Sequence, residues 1–149
     1  MSGSPPASGD PAGDPATAQE VWLLMRDLVF GRGDHRRAAS EELGMGYSRI
    51  KAMLHLEPGE LAHHELAAEL LTDKPYTTVI IRDLLERGLV ESRPHPSDGR
   101  SKLVSLTPAG REQAERARRI VVAPPEEMSR LSTEDLAQLR RILSLLTPE

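Results

Sequence analysis

Residues 88–110 read GLVESRPHPSDGRSKLVSLTPAG, and their reading decides the fold. Two short runs with strand character, 89–93 and 102–106, flank a tip that holds Pro94, Pro96, Asp98, Gly99 and Arg100. Pro, Asp and Gly disfavour continued pairing, so the segment is expected to form a β-ribbon with a tip that protrudes instead of joining a core. Such a tip can carry Arg100 towards a polyanion.

Upstream, Gly88 stops a helical run at residues 75–87, PYTTVIIRDLLER, with Pro75 at its first position, where the missing N–H costs nothing. At about 100° per residue, Thr77, Ile80, Ile81 and Leu84 share one side and should face the core. Tyr76, Thr78, Val79, Arg82, Asp83 and Glu86 then face outward. That outer face reads either as a solvated helix with one exposed β-branched residue or as a reading surface. A turn, TDK, separates this run from residues 62–71, AHHELAAELL, a helix with Leu66, Ala67, Leu70 and Leu71 on its inner face. Two helices around a short turn, followed by a ribbon, make a helix-turn-helix with a wing, whose second helix enters a major groove. On this reading Tyr76, Thr78, Val79 and Arg82 read or approach the groove, and Lys74 contacts phosphate. Arg100 and Lys102 serve the wing, at the backbone or in a narrow minor groove.

The flanks read as helices. Residues 35–43 end at Gly44, and residues 47–56 (YSRIKAMLHL) are stopped by Glu57, Pro58 and Gly59. Residues 1–16, rich in Pro, Gly, Ser and Ala, cannot offset the entropy of ordering and are expected to form a disordered tail. Thr17 and Glu20 then have capping-box spacing before Val21, Leu24, Met25, Leu28 and Val29, in a helix stopping near Gly31 and Gly33. Thr107 caps an exposed helix at 108–123 carrying Glu112/Arg116 and Glu115/Arg119 pairs, which Pro124 and Pro125 end. A last helix starts with Ser132 as cap, Asp135 at its third position and Leu131 with Leu136 as a staple. Its stripe of Leu136, Leu139, Ile142, Leu143 and Leu146 packs either on its own domain or on another chain.

Composition narrows the classes. The 149 residues include no cysteine, which removes disulfides, thiolate chemistry and thiol redox sensing. No run approaches the roughly 20 apolar residues a membrane helix needs, and no signal-type N-terminus is present, so a cytoplasmic protein without membrane association is expected. The net charge is -4, yet the expected DNA face sets six cations (Lys74, Arg82, Arg87, Arg93, Arg100, Lys102) against four carboxylates (Asp83, Glu86, Glu91, Asp98). No GxSxG, HExxH or glycine phosphate cradle occurs, so no catalytic residue, metal or cofactor is expected. His35, His55, His63, His64 and His95 read as solvated, because the adjacent His63 and His64 point about 100° apart on a helix.

An ordered set of residues resembles the MarR-type winged-helix transcription regulators over residues 17–146. It comprises Glu65-Leu66-Ala67, Leu84 four residues before Gly88-Leu89-Val90, Asp98-x-Arg100, and Leu106-Thr107-Pro108-Ala109-Gly110. Gly99 replaces a common basic residue, Leu85 an acidic one, and Ala62 a capping Ser or Thr. The resemblance implies a mostly α fold with a small β-ribbon: one domain over 17–147, with the winged helix-turn-helix at about 47–107. It implies that Asp98 orients an arginine and that Arg100 enters the minor groove. It further implies a homodimer interlocked through helices at about 17–30, 108–123 and 132–147, and therefore a near-palindromic double-stranded operator.

Small aromatic or anionic effectors commonly bind such dimers between the dimer helices and the winged lobe. Trp22 with Arg26, and Arg49 with Met53, are the candidate ligand residues, each pair one helical turn apart. The reading of Trp22 as a dimer-core residue, with Arg26 a solvated partner of Asp27 or Glu20, is favoured over the ligand role, because Trp is mostly buried for packing. The expected function is a ligand-responsive homodimeric repressor. The competing class is a winged-helix module for protein association, and a third is a metal-dependent enzyme on His63 and His64.

Overall fold

The computed structural model describes residues 13–32 and 34–147; residues 1–12 of the expected tail lie outside them. The chain divides into two units, His35–Pro124 and one built from the chain ends up to Asp34 and from Pro125.

Within His35–Pro124, helices α1 (His35–Leu43) and α2 (Tyr47–Leu56) precede strand β1 (Leu61–Ala62), α3 (His63–Leu70) and α4 (Lys74–Glu86). Strands β2 (Val90–Pro94) and β3 (Lys102–Leu106) and helix α5 (Pro108–Val121) complete the unit. The sheet is antiparallel in the order β1-β3-β2, with Leu61 opposite Val104 and Val90 opposite Leu106. The two-residue strand β1 was not foreseen. It is too short for an alternating pattern and exists because β3 offers it an edge.

The core gathers Ile50, Met53, Leu56, Leu66, Ile80, Leu84 and Val104, all fully buried. Helix α4 buries Thr77, Ile80, Ile81 and Leu84, the four positions its period singles out. It begins one residue before Pro75, because the Asp73 carboxylate accepts from the Tyr76 N–H at 2.8 Å and Pro is tolerated anywhere in the first turn. Buried Thr77 is satisfied by donating its hydroxyl to the Asp73 carbonyl at 2.8 Å. In α3, Glu65 accepts from the Ala62 N–H at 2.7 Å, the half of a capping box that needs no hydroxyl at the cap. Leu71 leaves the inner face on which it was expected: it takes a left-handed φ of 54° beyond the end of α3 and is exposed. Gly88, at φ 70°, closes α4, and the Leu89 N–H returns to the Leu84 carbonyl, so the strand starts at Val90 and not at residue 89.

Helix α5 departs from the expected exposed helix. Gly110, Ala114 and Ala117 line a buried face against α1 and α2, because small side chains let the helix axes approach closely. A Cβ on Gly110 would sit 1.8 Å from the Leu89 carbonyl oxygen. Arg116 does not pair with Glu112 but reaches Glu42 at 2.7 Å, whereas Glu115 and Arg119 do approach, at 3.7 Å.

In the terminal unit, helix α6 (Pro15–Arg26) passes into a π-helical turn (Asp27–Arg32), and a 3₁₀ turn (Glu126–Arg130) leads into α7 (Thr133–Ser144). The α6 helix starts two residues before Thr17, inside the stretch expected to be tail. Asp14 is the cap, accepting from both the N–H and the hydroxyl of Thr17 at 3.0 Å, and Pro15 is preset for a first turn. Helix α7 has the reciprocal capping box between Ser132 and Asp135. Neither helix buries a residue: Val21, Trp22, Leu24, Ile142 and Leu143 are all exposed, as is Leu146 just past the end of α7.

Candidate nucleic-acid interface

Helix α4 presents Tyr76, Val79 and Arg82 outward; Tyr76 and Val79 are 43% and 48% exposed, too open for core residues. Thr78, half-buried on the same helix, spends its hydroxyl on the Lys74 carbonyl at 3.0 Å, leaving its methyl group as the more available surface. The Tyr76 hydroxyl donates to Ser48 Oγ at 3.2 Å, which props the ring against α2.

Behind that face α2 and α4 are clamped. Arg49 Nε donates to Asp83 Oδ2 at 3.0 Å and Arg49 Nη1 to Ser48 Oγ at 3.1 Å, while Arg87 Nε reaches Asp83 Oδ1 at 3.2 Å. The Arg49 hydrogen bond, aided by Arg87 against a smaller opposing effect of burial, holds the Asp83 carboxyl below its ordinary range.

The wing is pinned at both ends. Arg93 on β2 makes a two-pronged contact with Glu60, at 2.6 and 3.2 Å. At the tip, Asp98 Oδ1 accepts from the backbone N–H of Arg100 at 3.1 Å, and the Ser101 N–H bonds the Asp98 carbonyl at 3.0 Å. Asp98 therefore positions the Arg100 backbone within a closed turn. Of the six cations counted on this face, Arg87 and Arg93 are engaged by carboxylates. Among the described residues, Lys74, Arg82, Arg100 and Lys102 have no carboxylate within salt-bridge distance.

A cleft of about 410 Å³ joins the starts of α3 and α4 to the wing, with His63, His64, Lys74, Asp98, Arg100 and Lys102 around it. The two histidines had read as solvated; only the tertiary fold carries Lys102, 39 positions downstream of His63, to the same cleft. Burial, then Lys102 and Lys74, holds His63 below its ordinary pKa. No group of three His, Asp or Glu suited to a metal occurs among the described residues.

The candidate ligand residues fall in different units. Trp22, with Val21, Met25 and Leu146, lines an apolar groove of about 490 Å³ in the terminal unit, and Arg26 closes the same helix. Arg49 is held by Asp83 and Ser48, and Met53 is fully enclosed in the core of the other unit. Sequence reading missed Ser48 and Glu60, whose partners lie 28 and 33 residues away, beyond any local pattern.

Residues 53–102 match the model of the MarR family. The chain is 39% identical over 100 residues to an HTH-type transcriptional regulator of Mycobacterium tuberculosis and, equally, to an uncharacterized one of Mycobacterium leprae. Each match covers 66% of this chain and 64% of the relative, so the chain spans just under two thirds of the curated relatives it matches. In fold it is similar to the apo form of MarR from E. coli, with a TM-score of 0.70 at 21% identity over 86% of this chain and 97% of the other. A mutant of the same E. coli protein complexed with operator DNA superposes with a TM-score of 0.59 at 23% identity, covering 87% of this chain and 97% of that one. The YusO protein from Bacillus subtilis gives 0.66 at 19% identity, covering 91% and 97%. Family match and architecture agree: residues 53–102 match the MarR family model, within a chain of MarR-type winged-helix fold.

Proposed function

We propose that the chain is a sequence-specific, double-stranded-DNA-binding transcription regulator that acts as a homodimer and represses until a small aromatic or anionic effector binds. The observation that carries the reading is the outward face of α4, with Tyr76, Val79 and Arg82, beside Lys74, Arg100 and Lys102, cations that no carboxylate among the described residues engages. Tyr76, Thr78, Val79 and Arg82 approach base edges in a major groove, where an Arg fork and apolar side chains discriminate bases. Lys74 takes phosphate, Asp98 shapes the wing turn, and Arg100 with Lys102 extends into the minor groove or along the backbone. The operator bound by E. coli MarR is consistent with this reading.

The homodimer draws support from the apolar surface of α6 and of α7 with the turn after it, where Trp22 is 56% and Leu146 70% exposed, since large exposed apolar patches commonly mark interfaces. A two-fold dimer matches a near-palindromic operator with half-sites about 34 Å apart. For the effector, Trp22 and Arg26 supply a ring and a cation, and Arg49 and Met53 lie on α2, behind the reading helix. An anion that draws Arg49 from Asp83 would loosen the clamp on α4.

Fluorescence anisotropy against duplexes from upstream of the chain's own gene, with scrambled DNA alongside and at two salt concentrations, tests the reading. Saturable binding that prefers the native duplex is expected, weakening with salt by about 0.9 in logarithmic slope per neutralised phosphate. Arg100→Ala should weaken binding without unfolding the protein. Salt-insensitive or absent binding would replace the regulator by a protein-association module.

A further inference from the structure

The cleft between α3, α4 and the wing is built of groups that favour an oxyanion. Lys74 faces it from the start of α4, Arg100 and Lys102 from the wing, and His63 and His64 from the start of α3. Among the described residues the one carboxylate that lines it is Asp98, and it is occupied, accepting from the Arg100 N–H. His63 is half-buried among these cations, and among the described residues it has no acidic partner.

We propose that His63 is a proton-linked phosphate contact: a DNA-backbone phosphate entering the cleft is met by Lys74, Lys102 and a newly protonated His63, so that binding takes up a proton. The proposal rests on the DNA-binding reading given above. In the free protein, burial and the two lysines disfavour the imidazolium. A phosphate reverses the balance, because it neutralises the lysines and accepts a charge-assisted N–H bond from the ring. The proton comes from solvent and resides on the imidazole. Affinity must then rise as pH falls through the histidine range and level off below the free protein's depressed pKa, one proton being linked per protomer.

The test is anisotropy of the full chain on the upstream duplex at about pH 8 and about pH 6, at fixed ionic strength. It is paired with an NMR titration of the His63 ring alone, with duplex and with inorganic phosphate. Wild-type affinity should rise on the order of tenfold across that range. His63→Gln should flatten the rise, and His55→Gln should keep it. The His63 midpoint should move up with duplex; an upward move with inorganic phosphate as well would show that the cleft takes the oxyanion from either source. An equal pH dependence in His63→Gln, or a midpoint that duplex leaves in place while binding occurs, overturns the proposal. Absence of duplex binding at both pH values, with inorganic phosphate still raising the midpoint, would remove the DNA reading and keep the anion site. If neither phosphate source acts, both fall.

Discussion

At Gly110 one methyl group decides whether the α5 helix can begin where it does. Alanine is normally preferred to glycine in a helix by about 1 kcal/mol, but here its Cβ would lie 1.8 Å from a backbone oxygen of Leu89, which cannot swing aside as a side chain can. The clash wins. Gly110→Ala should destabilise by about 2–3 kcal/mol in urea unfolding, whereas Gly99→Ala, with nothing within 4 Å, should change stability by less than about 0.5 kcal/mol. Asp83 makes a second test at this scale. Because its folded pKa is depressed, its contribution is complete above the ordinary value of 3.8 and is lost as pH falls through the lower folded value. Asp83→Asn should therefore be less stable than wild type at neutral pH, by about 1–3 kcal/mol for lost charge-assisted bonds, and the gap should close on acidification. A gap that is constant with pH would show that the charge of Asp83 adds nothing to the Arg49 and Arg87 contacts.

Among the elements, the junction of wing and α5 depends on Thr107. Its hydroxyl donates to the Gly88 carbonyl at 2.7 Å and accepts from the Gly110 N–H at 3.0 Å, so one side chain caps α5 and ties it to the end of α4. Thr107→Ala loses both bonds and should cost about 1–2 kcal/mol, while Thr107→Ser should recover most of it. The α4 helix has a simpler start: Asp73→Ala should cost about 1 kcal/mol and weaken DNA binding, since Lys74 and Tyr76 sit in the turn that Asp73 caps. Asp73→Asn, which keeps an acceptor, should retain both, as read by thermal unfolding and anisotropy.

Across the whole molecule, the exposed apolar side chains of α6 and α7 set the expected assembly. Light scattering behind gel filtration should report twice the chain mass. Leu143→Glu and Ile142→Glu together should halve it, because each places a charge on a face built from apolar residues. If α4 and the wing read a two-fold operator, the same double variant should also lose affinity for the native duplex by on the order of a hundredfold, since one half-site supplies roughly half the contacts. An unchanged mass would assign that stripe to packing within the chain.

The local signals were the ones sequence could carry. The core side of α4, the cap at Thr107, the box at Ser132 and Asp135, the glycine stops at Gly44 and Gly88, and the ribbon all follow from periodicity, capping chemistry and φ preferences within a few residues. Together with the ordered Glu65-Leu66-Ala67 to Gly110 set, they were sufficient for the architecture. What depended on distant partners was not legible. Strand β1 exists only because β3 offers an edge; α5 reads as a charged surface helix until α1 and α2 cover Ala114 and Ala117; and Arg93 counts as a DNA-facing cation until Glu60 neutralises it. The histidine cleft belongs to the same class. Local rules determine which residues form an element and which face it turns inward, but the charge a surface presents depends on pairings across tens of residues that only the folded chain brings within hydrogen-bond distance.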